Sequence, residues 1–324
     1  MQILPDFLAT LGDTPLVALR RYHPSGALLA AKVEFFNPGS SVKDRIGIEM
    51  IEAAEREGKL KPGMTIVEPT SGNTGLGLAI ACILRGYKLV CTAPSKVPKE
   101  KVQLLEAHGA EVVICPVEVD SDDPRSYTKT AERIRDERGA FLPYQYFNQA
   151  NPGAHYRTTG PEIWRQTDGK VTHWVAGIGT GGTISGVAKF LKEQNPDVRV
   201  VGVDPVGSVY KHFVETGRLP SPDELALYLI DGIGQSYIPE SYWPEYIDEV
   251  VTVDDRTAYR EVFELTRTEG IFTGSSGGAA VWGAREVARG AAEDDLVVTL
   301  LPDSGERYLS KLNEEWMRDK GLLD

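Results

Sequence analysis

Four short segments of this 324-residue sequence carry side chains that do chemistry when they are crowded together. Lys43 stands in Asn37-Pro38-Gly39-Ser40-Ser41-Val42-Lys43-Asp44-Arg45, where a strand enters a turn and a helix begins. A lysine at the positive end of a helix loses part of its preference for the proton, which favours the neutral amine that Schiff-base chemistry needs. Taken alone, the same residue reads as a solvated surface lysine. Thr70-Ser71-Gly72-Asn73-Thr74-Gly75 puts hydroxyls and an amide ahead of an apolar helical run, a setting that suits an anion. Gly177-Ile178-Gly179-Thr180-Gly181-Gly182 fits the spacing G-x-G-x-x-G between a strand and a helix, so backbone can approach an anion at free helix-start N–H groups. Alone, that turn admits a nicotinamide dinucleotide with Asp204 near the ribose, a bare phosphate, or no ligand. Gly274-Ser275-Ser276-Gly277-Gly278 matches the nucleophile elbow G-x-S-x-G, which requires a histidine later in the chain. All five histidines, the last being His212, precede Ser276, so the hydrolase reading fails and a helix start built from small residues remains. No Gly-Lys-Ser/Thr occurs, which removes Walker-type phosphoryl transfer.

These segments need strands and helices to place them, and the chain supplies an alternation of both. Thr65-Ile66-Val67, Lys88-Leu89-Val90-Cys91-Thr92, Glu111-Val112-Val113-Ile114, His173-Trp174-Val175-Ala176, residues 198–203 and residues 296–300 read as β-branched strands. Helices are expected over 76–84 with Gly86 as stop, 98–108 with Gly109 as cap, 124–138, and from 183 to about 193. Such alternation predicts an α/β fold with mostly parallel sheets flanked by helices, in two groups separated by the region 141–156. Ligands in these folds lie beyond the carboxyl ends of the strands, where every Gly-rich turn above falls.

Composition narrows the function classes. Lys+Arg number 35 against 47 Asp+Glu, a formal net charge of −12, so neither a nucleic acid nor an anionic membrane is an expected partner. Cys82, Cys91 and Cys115 form no Cys-x-x-Cys pair and lie in apolar stretches. That argues against a disulfide framework and a structural zinc, predicts no metal site, and favours a reducing compartment. Residues 1–10 lack a basic and apolar leader pattern, and the most apolar stretch, 76–90, is broken by Arg85 and Lys88. The expectation is a cytoplasmic protein.

Taken together, the segments resemble a known family. Asn37 to Arg45 is similar to the cofactor-lysine segment of the pyridoxal-phosphate enzymes of the cysteine synthase and cystathionine β-synthase family. Thr70 to Gly75 resembles its substrate loop, Gly179-Thr180-Gly181-Gly182-Thr183 its phosphate cup, and Leu301-Pro302-Asp303-Ser304 its pyridine-nitrogen strand end, in the family's order. Ile3-Leu4-Pro5-Asp6, the insertion Asp122-Asp123-Pro124-Arg125-Ser126, Val203-Asp204-Pro205 and the tail 308–316 resemble the catalytic core of cystathionine β-synthases. Asp231 and Gln235 depart from that subfamily's usual Glu and Tyr.

The resemblance implies fold type II, like the tryptophan synthase β chain, with a smaller domain over 44–148 and a larger one over 1–43 and 149–324. It implies pyridoxal 5′-phosphate bound through Lys43, the catalytic residue. Asn73 then meets the ring 3′-oxygen, Gly179, Thr180, Gly181, Gly182 and Thr183 hold the phosphate, and Ser304 meets the pyridine nitrogen. Thr70, Ser71, Gly72, Thr74 and Gln145 hold the substrate carboxylate, and Asp231 and Gly232 line the second-substrate side. The implied partners are small amino-acid and thiol substrates and a second copy of the chain. The implied reaction joins L-serine and L-homocysteine into L-cystathionine, with cysteine synthesis from O-acetylserine or O-phosphoserine as the alternative.

Overall fold

The computed structural model describes residues 3–24, 26–120 and 122–323. Its strands are β1 (Leu16–Ala18), β2 (Leu28–Val33), β3 (Thr65–Pro69), β4 (Lys88–Pro94), β5 (Glu111–Cys115), β6 (His173–Gly177), β7 (Arg199–Pro205), β8 (Glu249–Val253) and β9 (Leu296–Leu301). Its helices are α1 (Lys43–Arg56), α2 (Asn73–Arg85), α3 (Lys99–Ala107), α4 (Tyr127–Arg138), α5 (Ala150–Arg157), α6 (Thr159–Gln166), α7 (Gly182–Gln194), α8 (Tyr210–Thr216), α9 (Asp255–Glu269), α10 (Ser275–Gly290) and α11 (Glu314–Asp319). The chain divides into two compact units, residues 1–11 with 37–151 and residues 12–36 with 152–324. Among the described residues, 3–11, 37–43 and 149–151 group with the smaller unit where the expectation put them in the larger domain; the expected outer bounds 1 and 324 lie outside the described residues.

In the first unit β3, β4 and β5 form a parallel sheet in sequence order. Val67 and Val90 pack against Ala131 and Ile134 of α4, which covers one face. Phe141 adds a short parallel bridge to Ile66. The two helices that matter most here, α1 and α2, touch through glycine. A Cβ on Gly77 would lie 2.8 Å from the Lys43 carbonyl oxygen, and one on Gly47 would lie 2.6 Å from the Gly77 carbonyl carbon. Side chains at either position would force the helices apart, so the start of α1 stays beside the start of α2. Helix α4 opens at Tyr127 and not at Pro124 as expected, because the Ser126 side chain accepts the Lys129 amide at 3.2 Å and fixes the cap there. Asp123 meanwhile pairs with Arg125 in the preceding turn.

The second unit holds a six-stranded sheet in the order β1-β2-β9-β6-β7-β8. Only β1 runs antiparallel, on the edge. The inner parallel strands β7 and β9 are buried on both faces, as their continuous Val and Leu runs require. Val175, Val201, Val203, Val297 and Leu301 build the core with Ala279, Val281 and Ala284 of α10. The G-x-S-x-G segment proves to be packing. A Cβ on Gly278 would sit 2.2 Å from the Ala258 carbonyl oxygen of α9, and one on Gly277 would sit 2.0 Å from Thr273 Oγ1.

Candidate active site

In the first unit the Lys43 segment is organised from beneath by Asp44. Its buried carboxylate accepts the Gly39 amide at 2.7 Å and the Ser41 amide at 3.4 Å. Ser40 is held at φ +56°, a left-handed conformation rarely adopted by a residue with a side chain. Asn37 donates to the Ser41 carbonyl at 3.2 Å, and Ser41 Oγ accepts the Lys43 amide at 3.2 Å. The loop is thus fixed before Lys43 opens α1, with its side chain half-buried.

The second predicted segment enters α2, whose N-cap is Gly72 and whose first residue is Asn73. Thr70 Oγ1 accepts the Gly72 amide at 3.3 Å, which sets the turn. Thr74 is buried and donates to Gln145 Oε1 at 2.8 Å, so two residues 71 positions apart in sequence are brought together. Gln145 is pinned at three atoms. Its carbonyl accepts from Asn151 at 2.8 Å, its amide donates to Glu68, and its side-chain oxygen is taken by Thr74. An amide side chain whose oxygen is occupied has N–H groups to offer, the right chemistry for a carboxylate. The β-branched run ends at Val67 and gives Glu68 no mark, whereas β3 runs on through Pro69.

In the second unit the Gly-rich turn follows β6 and opens α7. Three of its successive carbonyls are taken by the protein: Gly234 N–H donates to Ile178 at 2.7 Å, the Tyr210 phenol to Gly179 at 2.5 Å, and Ser241 Oγ to Thr180 at 2.7 Å. In a planar trans peptide the following N–H points the opposite way. The amides of Gly179, Thr180 and Gly181 are therefore directed away from those donors, beside the start of α7, where the Gly182 amide donates to Thr180 Oγ1 at 3.3 Å. Glycine is required: a Cβ on Gly179 would lie 2.3 Å from the Gly232 carbonyl oxygen, and one on Gly181, at φ +82°, would lie 2.5 Å from Tyr242 Cβ. The arrangement forms a small anion cup carrying the Thr180 and Thr183 side chains.

Asp204, which a dinucleotide reading would put on a ribose, is instead fully buried and caps α8 by accepting the Tyr210 amide at 3.0 Å. Burial pushes its carboxyl up to about 7. Ser304 follows β9, tied by a bridge to Thr273. Its hydroxyl accepts the Glu306 amide at 3.3 Å, so its own proton remains to be donated. The neighbouring Asp303 accepts the Tyr308 phenol at 2.5 Å. Asp231 is anchored by its amide on Ser275 Oγ at 3.0 Å, and both its carboxylate oxygens lie on Lys311 Nζ, at 2.8 and 2.7 Å. Nothing in the sequence marks Lys311 beyond its place in the tail 308–316.

A sequence model of the pyridoxal-phosphate dependent enzyme family matches residues 8–303. The chain belongs to this family. It is 41% identical over 327 residues to the cystathionine β-synthase of Apis mellifera, covering 99% of this chain and 64% of that protein. It is 44% identical over 302 residues to the cysteine synthase of Staphylococcus aureus, covering 93% and 94%. The chain thus spans less than two thirds of the cystathionine β-synthases it matches, which fall at 58% to 64%. The crystal structure of an O-ureido-L-serine synthase superposes with a TM-score of 0.87 at 38% identity, covering 95% of this chain and 94% of that one. Its fold is therefore that of the type II pyridoxal-phosphate enzymes, and the dinucleotide reading falls. The donor set fits the cofactor: an anion cup whose glycines cannot carry side chains, and a neutral hydroxyl with a proton to give. Among the described residues no cluster of potential metal ligands occurs, and no helix is long and apolar enough to cross a membrane. All three cysteines are free and buried, and burial raises the Cys82 thiol to about 12, which removes it as a nucleophile.

Proposed function

We propose that this enzyme catalyses β-replacement on L-serine with L-homocysteine, releasing water and giving L-cystathionine. Bound pyridoxal phosphate supplies the electron sink that makes an α proton labile and lets a β substituent depart. Lys43 carries the cofactor on its amine and moves the α proton. Thr180, Thr183 and the amides of residues 179–183 hold the phosphate, and Asn73 orients the ring. Thr70, Ser71, Gly72, Thr74 and Gln145 take the substrate carboxylate. Ser304 donates a neutral hydrogen bond to the pyridine nitrogen. Such a bond does not fix a proton there as a carboxylate would, and it keeps the ring a moderate sink suited to elimination and replacement.

The observation that carries the choice of thiol is the Asp231–Lys311 pair. It stands on the turn whose Gly232 carbonyl packs against Gly179 of the anion cup. Both side chains are about a quarter exposed, so the pair can open to a ligand. Homocysteine brings an ammonium and a carboxylate, for which Asp231 and Lys311 are complementary partners; sulfide needs neither. Cysteine synthesis is the second reading, favoured by the nearly full-length match to the Staphylococcus aureus enzyme. Serine, O-acetylserine and O-phosphoserine, each tested with sulfide and with homocysteine, separate the two. A kcat/KM for O-acetylserine and sulfide far above that for serine and homocysteine would transfer the assignment. The buried, unpaired thiols support a reducing, cytoplasmic setting, and family likeness supports a homodimer.

A further inference from the structure

Glu68 has no part in the reaction outlined above, yet it occupies an unusual position. It is fully buried at the end of β3, and its two oxygens accept the amides of Tyr144 at 2.7 Å and Gln145 at 3.0 Å. Tyr144 is held at φ +56°, a costly conformation for a residue with a side chain, so the turn depends on what clamps it. The same turn delivers Gln145 to Thr74. We propose that Glu68 is a positioning residue whose ionised carboxylate locks the Tyr144–Gln145 turn, and so makes binding of the substrate carboxylate depend on pH. This rests on the assignment of Gln145 and Thr74 to that carboxylate.

The chemistry has two opposed parts. Two parallel N–H donors are held most strongly by two anionic oxygens, and a proton on either oxygen removes the charge and weakens the bond that oxygen accepts. Burial favours the neutral acid, and it outweighs the two amides, raising the group to about 7. The facing groups do little to counter this. The Cys91 thiol lies directly across on β4 and is itself pushed up by burial. The Tyr144 phenol, on the turn, is raised by its own burial and faces Glu132 and Lys129 of α4. Acidification below neutrality therefore protonates Glu68, releases one amide and lets the strained turn relax, moving Gln145 away from its working position.

The test is the dissociation constant of L-serine with the holoenzyme, read from the absorbance change of the bound cofactor between pH 5.5 and 8.5. Wild type is expected to lose about tenfold in affinity for each pH unit below the midpoint. Glu68→Gln, with one acceptor instead of two, is expected to bind serine weakly throughout and to lack the step near neutrality, with its resting cofactor spectrum intact. Gln145→Ala is expected to lose the same step, since the coupling runs through that side chain. A wild-type affinity without the step, a step that persists in Gln145→Ala, or a folded Glu68→Gln that binds serine within twofold of wild type would each overturn the proposal while leaving the reaction assignment standing. A wild-type spectrum indifferent to serine at every pH would overturn both.

Discussion

Gly77→Ala is a one-carbon change that probes how the site is held. The new Cβ would start 2.8 Å from the Lys43 carbonyl oxygen and 3.0 Å from Asp44 Cα, both backbone atoms that cannot swing aside. Ordinary contact begins at 3.4 Å, so α1 and α2 must separate by about 0.6 Å where Lys43 begins its helix. Overpacking of this kind costs roughly 1–3 kcal/mol, and the gain of alanine over glycine inside a helix returns about 1 kcal/mol. The net loss of stability is then about 0–2 kcal/mol, small enough for the protein to fold. Turnover is more exposed. A displacement approaching 1 Å at a reacting group costs on the order of a hundredfold, so kcat should fall by about 10- to 100-fold. Stopped-flow or steady-state kcat is measured beside urea unfolding, with Gly290→Ala as control, since a Cβ on Gly290 meets nothing within 4 Å. A variant that loses stability yet keeps kcat within twofold would show that the helices relax elsewhere, and that their close approach does not set Lys43.

Lys43→Ala should fold and lose the visible absorption of the bound cofactor; a persisting band would place the attachment on another lysine. Ser304→Ala should lose only about 0.5–1.5 kcal/mol of stability for one hydrogen bond but much more in kcat, and Ser304→Asp should favour a protonated ring and damage replacement severely. Full turnover in Ser304→Asp would refute its role at the pyridine nitrogen. Asp204 is raised by burial from 3.8 to about 7, so its contribution to stability is complete below pH 3.8 and is lost as pH rises through about 7. That amounts to roughly 4 kcal/mol at most, and Asp204→Asn should flatten this decline in unfolding free energy measured between pH 4 and 7. Lys311→Ala should weaken saturation by homocysteine while leaving the spectral response to serine alone unchanged; equal loss in both would remove Lys311 from the second-substrate side.

What could be read from the residues was what repeats locally. Gly86 stops α2 because only a left-handed cap ends that run, and it sits at φ +76°. The turns after β3 and β6 are legible as glycine and hydroxyl clusters following β-branched runs, whereas the turn after β9 is marked only by resemblance. The rest depends on distance in sequence. Glu68 looks like the polar exit of a strand until the turn 76 residues later folds over it. Asp231 looks solvated until Lys311, 80 positions on, arrives with the tail. Strand β1 has three residues and β8 alternates only weakly, so neither carries a pattern strong enough to see. Resemblance supplied the roles of Asn73, Gln145 and Ser304, which no periodicity marks.

The position of β9 has a consequence for biogenesis. The last strand of the sheet to be synthesised lies between β2, made near the beginning, and β6, made midway. Until residues 296–301 leave the ribosome, β2 and β6 have no common partner, and both present apolar, unpaired edges to whatever is nearby. The smaller sheet, β3 to β5, has its strands in sequence order and can pair as it emerges. Synthesis therefore produces a chain with one sheet closed and the other open for most of translation, a species that domain-by-domain folding exposes to aggregation and to chaperone capture. Nonsense mutations and early stops anywhere before β9 should yield insoluble protein and not a shortened enzyme.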